Sequence, residues 1–281
     1  MDSFLPSISV LWVFIIHLSS LADGGGIGIN YGLLGDNLPP PDQVATLLKS
    51  RNISRIRIFS PDLNVLNALQ NSGIQVIIGT FNQEVGTLAG DINFAKAWVQ
   101  TNIIPYVQTI KFRCISIGNE VILGDMNSLV FLAMQNMNSA LQFFSLFQIP
   151  VSTTVGINAL ASSSPPSTGD FSSDVKLAIE QIACFLANNG FPLLITAYPY
   201  FSYIHEPSSI QLSFVLFTSR DVVVIDGSLE YKNMFDAMVD AVYSALEKVG
   251  AGGDFVRVGG RHKGMVISRR MNWLEPIIRI F

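Results

Sequence analysis

The chain has 281 residues, of which 49% are hydrophobic and 14% are charged, and its formal net charge at pH 7 is −4. This composition excludes an intrinsically disordered chain and offers no basic patch for nucleic acid. The length fits one large α/β domain. The three histidines are spread along the sequence and indicate no metal cluster. The two cysteines, Cys114 and Cys184, are too few for a disulfide framework, and both are predicted to be free thiols in the core.

The N-terminus resembles a secretory signal peptide covering residues 1–22. A short apolar run from Ile8 to Leu18 precedes Ser20 and Ala22, which place small residues at the −3 and −1 positions of a cut after Ala22. The run is too short to remain as a membrane anchor, so the mature protein is expected to be secreted, to the cell wall or the vacuole. The sequon at Asn52 would then be usable for glycosylation if it is exposed.

After this leader, short β-branched runs alternate with helical patterns. The predicted strands are 27–31, 55–59, 75–79, 114–118, 151–154 and 193–198. The predicted helices are 41–49, 62–70, 94–102, 128–147, 174–187 and 233–249. Six strand–helix units of this spacing favour a parallel sheet, and right-handed crossovers curl such a sheet toward a barrel. The Ser- and Pro-rich segment 163–169 is predicted to be a loop inside this domain, because the alternation continues across it.

The segment from Ile115 to Glu120 carries the main functional signal. Alternating aliphatic residues run into Gly118-Asn119-Glu120, which predicts a buried strand with a carboxylate just beyond its C-terminal end. In a (β/α)8 barrel, catalytic residues lie at that end of the strands. An Asn–Glu pair there is typical of retaining glycosidases, where the glutamate is the general acid/base and the asparagine binds a sugar hydroxyl. The alternative is a helix-capping glutamate on an ordinary α/β loop.

Several motifs in the same order resemble plant endo-1,3-β-glucanases of glycoside hydrolase family 17. The matching stretches are 28–32, 37–40, 55–58, 117–121, 198–201 and 231–237. The resemblance is collinear from about residue 24 to 250. It implies a (β/α)8 TIM-barrel fold and hydrolysis of internal 1,3-β-glucosidic linkages with retention, in carbohydrate metabolism or plant defence. It also implies a callose- or laminarin-like β-1,3-glucan substrate, no cofactor or metal, and a monomeric protein.

The resemblance assigns roles to individual positions. Glu120 takes the place of the proton donor. Residues at substrate-cleft positions are Tyr31, Asn82, Asn119, Tyr198 and Phe201. Flat aromatic faces and amide groups suit pyranose rings and their hydroxyls. For the tyrosines, packing in the core with a capped hydroxyl remains the alternative.

The second glutamate implied by the resemblance, the nucleophile on strand seven, is not found. No glutamate occurs between Glu247 and Glu275, and the tail 256–281 is rich in Arg and Lys. We therefore expect an incomplete barrel at 23–255, with strand seven degraded, strand eight missing and an aberrant tail from truncation or a frame shift. Three interpretations remain: a secreted endo-1,3-β-glucanase that cuts the glucan with retention, a non-catalytic β-1,3-glucan-binding relative, or an unstable gene product. Because the nucleophile is not found, this chain is expected to be inactive.

Overall fold

The computed structural model describes residues 28–251. The strands in chain order are β1 (Gly28–Tyr31), β2 (Arg55–Ile58), β3 (Gln75–Gly79), β4 (Lys111–Ile117), β5 (Val151–Gly156), β6 (Leu160–Ser162), β7 (Asp170–Phe171), β8 (Leu194–Thr196), β9 (Val224–Asp226) and β10 (Leu229–Tyr231). Six of them form one parallel sheet in the order β1-β2-β3-β4-β5-β8, curled as part of a barrel. The pairs β6–β7 and β9–β10 are small antiparallel ribbons.

Helices connect and cover these strands. In chain order they are α1 (Pro41–Ser50), α2 (Leu63–Leu69), α3 (Val85–Gly90), α4 (Ile92–Asn102), α5 (Asn127–Phe143), α6 (Ser173–Asn189), α7 (Pro199–His205), α8 (Leu212–Val215) and α9 (Met234–Leu246). Local sequence explains several boundaries. Pro41 opens α1 at its first turn, and Asp62 caps α2 by accepting from Val65 N. Gly190 closes α6 in the left-handed conformation. All six predicted strand–helix units are present.

The large hydrophobic core lies between the sheet and the helices. Ile78 and Ile115 belong to it, whereas Ile77, Cys114 and Leu194 form a separate buried cluster. Because neighbouring residues of a strand point to opposite faces, this second cluster lies on the inner face of the curled sheet. Side chains therefore pack together on the inner face of the sheet at this level.

Two kinds of prediction need correction. Cys184 is a free thiol as predicted, but it is exposed on α6 and does not lie in the core. The preceding residue, Ala183, is buried, and each residue of a helix is rotated by about 100° from the one before it, so Cys184 points away from the core. Cys114 is buried as predicted, and burial raises the pKa of its thiol to about 12. The helix predicted to end at 147 ends at Phe143, just before Ser145 takes a positive φ of 59°.

Other predictions concern residues outside the described range. The leader 1–22, the strand-seven segment, Glu275 and the tail 256–281 all fall there. Within residues 28–251, β1 and β8 are the two end strands of the six-stranded sheet, and each is hydrogen-bonded to a neighbouring strand along one edge. Over the same range, no helix combines the length and apolar character needed to cross a membrane.

Candidate functional site

Glu120 lies where the sequence places it, in the turn that follows β4. Gly118 has a φ of +64° and Glu120 has a φ of +56°. A non-glycine residue in this region costs on the order of 1 kcal/mol or more, and such residues are held by their surroundings. Here Gly118 N donates to Thr80 Oγ1 at 3.0 Å and Glu120 N donates to Thr154 O at 3.0 Å. These two hydrogen bonds hold the turn between β3 and β5.

The two oxygens of the Glu120 carboxylate have different surroundings. Oε1 accepts from Thr196 Oγ1 at 2.5 Å and from Tyr198 Oη at 2.9 Å. Oε2 lies beside Gly156, 3.5 Å from where a Cβ on that glycine would be. Burial raises the pKa of the Tyr198 phenol, and the hydrogen bond to Glu120 and its negative charge raise it further. Tyr198 is therefore a neutral donor that fixes one oxygen and leaves the other available.

Asn119 is held by Arg57 and Asn82. Its side-chain Oδ1 accepts from Arg57 Nη2 at 2.8 Å. Its backbone N donates to Asn82 Oδ1 at 2.7 Å, and Asn82 Nδ2 donates to Asn119 O at 3.2 Å. The structure thus brings two of the sequence-predicted cleft residues together, with the Asn82 amide engaged in holding the Asn119 backbone.

Arg57 is a site residue that our sequence reasoning missed. It is 3% exposed and also donates to Thr154 Oγ1 at 2.8 Å, while its guanidinium lies 4.7 Å from the ring centroid of Phe59. Burial lowers its pKa to about 10, and electrostatic interactions with Tyr198, Cys114 and Glu120 offset only part of that shift. Within residues 28–251, Arg57 Nε has no hydrogen-bond partner. The sequence does contain a signal for this role. Arg57 is a charged residue between Ile56 and Ile58 in a strand whose last three residues are all buried.

The aromatic cleft residues differ in how much of their surface is available. The Tyr198 ring is half-buried and its centroid is 5.4 Å from that of Phe201, which is 57% exposed. Tyr31 is only 8% exposed and belongs to the main core cluster, where burial and the charge of Asp62 raise its pKa. Little of Tyr31 is left for a ligand, and its contact with substrate stays a prediction.

Glu120 has a particular place among the carboxylates of residues 28–251. It is the carboxylate whose charge acts on both Arg57 and Tyr198. Glu247 is exposed in the helical turn that follows α9. In this part of the chain, no three His, Cys, Asp or Glu side chains come together as a metal site. The arrangement can donate a proton and present an aromatic face, which are two of the elements of glycosidase chemistry.

A curled parallel sheet with an Asn–Glu pair at the C-terminal end of β4, beside exposed aromatic rings, is the arrangement of a barrel glycoside hydrolase. Comparison with known proteins supports this class. The family described as glycosyl hydrolases family 17 matches residues 27–259, and the chain belongs to that family. The predicted family and fold class are thereby confirmed.

Similar proteins include both sequences and solved structures. A glucan endo-1,3-beta-glucosidase of Vitis vinifera is 43% identical over 251 residues, covering 87% of this chain and 73% of the relative. The solved structure of one of two plant beta-glucan endohydrolases with distinct substrate specificities is 35% identical, with a TM-score of 0.78 and coverage of 80% of this chain and 73% of that one. CJP38, a beta-1,3-glucanase and allergen of Cryptomeria japonica pollen, is 41% identical, with a TM-score of 0.77 and coverage of 80% and 71%.

Proposed function

We propose that this site is of the endo-1,3-β-glucanase type and binds a callose- or laminarin-like β-1,3-glucan with Glu120 as the proton donor. The observation that carries the proposal is the Glu120 carboxylate, with Oε1 held by Thr196 and Tyr198 at the C-terminal end of the strands. The family membership and the names of the similar enzymes support the substrate class.

Proton donation is assigned to one oxygen. Because Oε1 already accepts two hydrogen bonds, the transferable proton belongs on Oε2, which is free to face the glycosidic oxygen. A positioned acid of this kind contributes roughly 10²–10⁴-fold to the rate. Thr196 and Tyr198 act through Glu120, because they set which oxygen donates.

Substrate contact is assigned to the remaining cleft residues. Arg57 holds Asn119 Oδ1, and this orientation leaves the Asn119 amide nitrogen as a donor for a sugar hydroxyl. Tyr198 and Phe201 offer a ring surface for the C–H face of a pyranose. Asn82 holds the backbone of Asn119 in place through two hydrogen bonds.

Hydrolysis with retention also needs a carboxylate nucleophile roughly 5 Å from the acid. The sequence contains no glutamate between Glu247 and Glu275. We therefore propose that the chain as sequenced binds the glucan without turning it over, which favours a glucan-binding role as the second candidate function.

We also propose that the protein acts as a monomer outside the cell or in the vacuole. The signal-peptide-like residues 1–22 support secretion. Asn52 is exposed in the turn between α1 and β2, so its sequon is accessible to glycosylation.

Binding of a β-1,3-linked oligosaccharide tests the proposed cleft. Phe201→Ala is expected to weaken the binding of laminaripentaose about tenfold, because it removes an exposed ring of the stacking face. Isothermal titration calorimetry of wild type and variant measures the change. Phe147→Ala is the matched control, since Phe147 is 67% exposed and follows the far end of α5. Equal losses in both variants, or no binding by the wild type, would contradict the proposal.

Replacing Arg57 is expected to weaken oligosaccharide binding while changing the free energy of unfolding little. Lowering its pKa from 12.5 to about 10 means that folding disfavours the cation by about 3 kcal/mol. In Arg57→Met this cost is removed while two hydrogen bonds are lost, so the unfolding free energy should stay within about 1 kcal/mol of wild type. Laminaripentaose binding should weaken about fivefold, because Asn119 loses its donor.

Urea denaturation and calorimetric titration measure these two effects. Arg55→Met, at the opposite end of β2, serves as the control for binding. If the unfolding free energy of Arg57→Met were more than about 3 kcal/mol below that of wild type, the favourable contacts of the buried cation would outweigh the cost of its desolvation.

A further inference from the structure

Gly156, the last residue of β5, lies where Asn158 and Glu120 approach each other. A Cβ at this position would overlap Oδ1 of Asn158 and would lie 3.5 Å from Oε2 of Glu120. The backbone of Gly156 has a φ of −77°, which suits any residue, so the reason for glycine here is space. The side-chain oxygen of Asn158 and Oε2 of Glu120 therefore both lie within 3.5 Å of one point above Gly156.

Asn158 has the properties of a ligand-contacting residue. It lies in the short helical turn Ile157–Ala159 that follows β5, at the same end of the sheet as Glu120. Its side chain is exposed and makes no hydrogen bond to another residue within 28–251. By contrast, the side-chain oxygens of Asn82 and Asn119 near the same turn each accept a hydrogen bond from a protein group. The Asn158 amide is thus available to bind a ligand. It lies near Oε2, the Glu120 oxygen to which proton donation is assigned.

We propose that Asn158 is a specificity-determining residue that contacts the departing sugar and favours a β-1,3 linkage over a β-1,4 linkage. The inference rests on the proposed function, in which Oε2 of Glu120 faces the glycosidic oxygen of the bound glucan. The departing sugar is the residue that would leave with that oxygen in a hydrolase of this type, and its binding requires no turnover. The sugar that leaves with that oxygen must lie on the Oε2 side, which is the side of Asn158.

The chemistry of the departing sugar explains the choice. In a 1,3-linked glucan the leaving oxygen is O3, and the carbons on both sides of it, C2 and C4, carry hydroxyl groups. In a 1,4-linked glucan the leaving oxygen is O4, and only C3 carries a hydroxyl, because C5 carries the hydroxymethyl group. An amide can donate to one hydroxyl and accept from another. A site built around such hydrogen bonds disfavours the analogue that lacks one of them.

Calorimetric titration with laminaripentaose and cellopentaose tests the proposal on the full chain. Wild type is expected to prefer laminaripentaose, and Asn158→Ala is expected to weaken laminaripentaose binding about tenfold and cellopentaose binding less than about twofold. Asn188→Ala, an exposed asparagine near the C-terminal end of α6, is the matched control and should change neither affinity. The thermal midpoint of Asn158→Ala should equal that of wild type, because the Asn158 side chain makes no hydrogen bond to another residue of the described range 28–251.

The outcomes separate this inference from the proposed function. If wild type binds laminaripentaose and Asn158→Ala binds it equally well, the role of Asn158 is overturned while the glucan cleft stands. If both affinities fall equally, Asn158 contacts sugar without selecting the linkage, and the proposal is likewise overturned. If wild type binds neither oligosaccharide, the proposed function fails and the inference fails with it. A selective loss for laminaripentaose supports both.

Discussion

Incubation of the purified protein with linear β-1,3-glucan is expected to produce no reducing ends above the background rate. The expected deficit is roughly 10⁴-fold or more relative to an enzyme of this type with both carboxylates. Protonation by Glu120 alone does not supply the carboxylate that forms the glycosyl ester of a retaining mechanism. A reducing-sugar assay, run beside a β-1,3-glucanase of known activity, measures the effect.

The charge of the segment beyond 255 supports the same expectation. Where the family resemblance implies a carboxylate, this sequence has several cations: Arg257, Arg261, Lys263, Arg269 and Arg270. A cationic side chain cannot form the ester, and positive charge near an oxocarbenium-like transition state opposes the charge that develops there. Glutamate is next found at Glu275, immediately before Pro276.

Two variants make this expectation falsifiable. Turnover that is measurable in wild type and lost in Glu275→Gln would overturn it and identify Glu275 as the nucleophile. Loss of such turnover in Glu120→Gln would place Glu120 in the same mechanism. Oligosaccharide binding without turnover would select the glucan-binding role. Absence of both, together with uptake of a hydrophobic dye, would select the unstable gene product.

Gly79→Ala is expected to lower the unfolding free energy by about 3 kcal/mol. Gly79 ends β3, and a Cβ there would overlap the carbonyl oxygen of Phe59 and come 2.8 Å from its carbonyl carbon. Both are backbone atoms just beyond β2, so neither can rotate away as a side chain would. The displacement would also move Phe59, whose ring lies against Arg57. Urea denaturation followed by circular dichroism measures the loss.

Gly86→Ala is the matched control for this substitution. Gly86 lies inside α3, and the nearest atom to its Cβ position is a Leu129 methyl group at 4.0 Å. Alanine there should stabilise the protein by about 0.5–1 kcal/mol, because it restricts the unfolded chain and favours the helix. A Gly79→Ala variant as stable as Gly86→Ala would show that β2 and β3 can separate without cost at this end of the sheet.

The order of strands and helices could be predicted from the sequence because it depends on local patterns. Alternating aliphatic residues identify β4 and place Glu120 just beyond it, and parallel strands then bring Glu120 to the barrel mouth with Tyr198. Pro41 and Asp62 mark the starts of α1 and α2 through the chemistry of helix caps. These features involve residues within a few positions of one another, so the linear pattern contains them.

The contacts inside the site were decided only by the tertiary structure. Arg57 reaches Asn119 across 62 positions and Thr154 across 97, and Thr196 reaches Glu120 across 76. No local pattern relates residues so far apart, because each contact depends on which strands become neighbours and on their register. The same limit applies to Asn158. Its amide lies near Glu120 because β5 is paired beside β4, so that the turn after Gly156 comes close to the turn that holds Glu120. The sequence alone therefore determined the fold class and the position of Glu120, while the packing of strands decided which side chains hold its carboxylate and which remain exposed beside it.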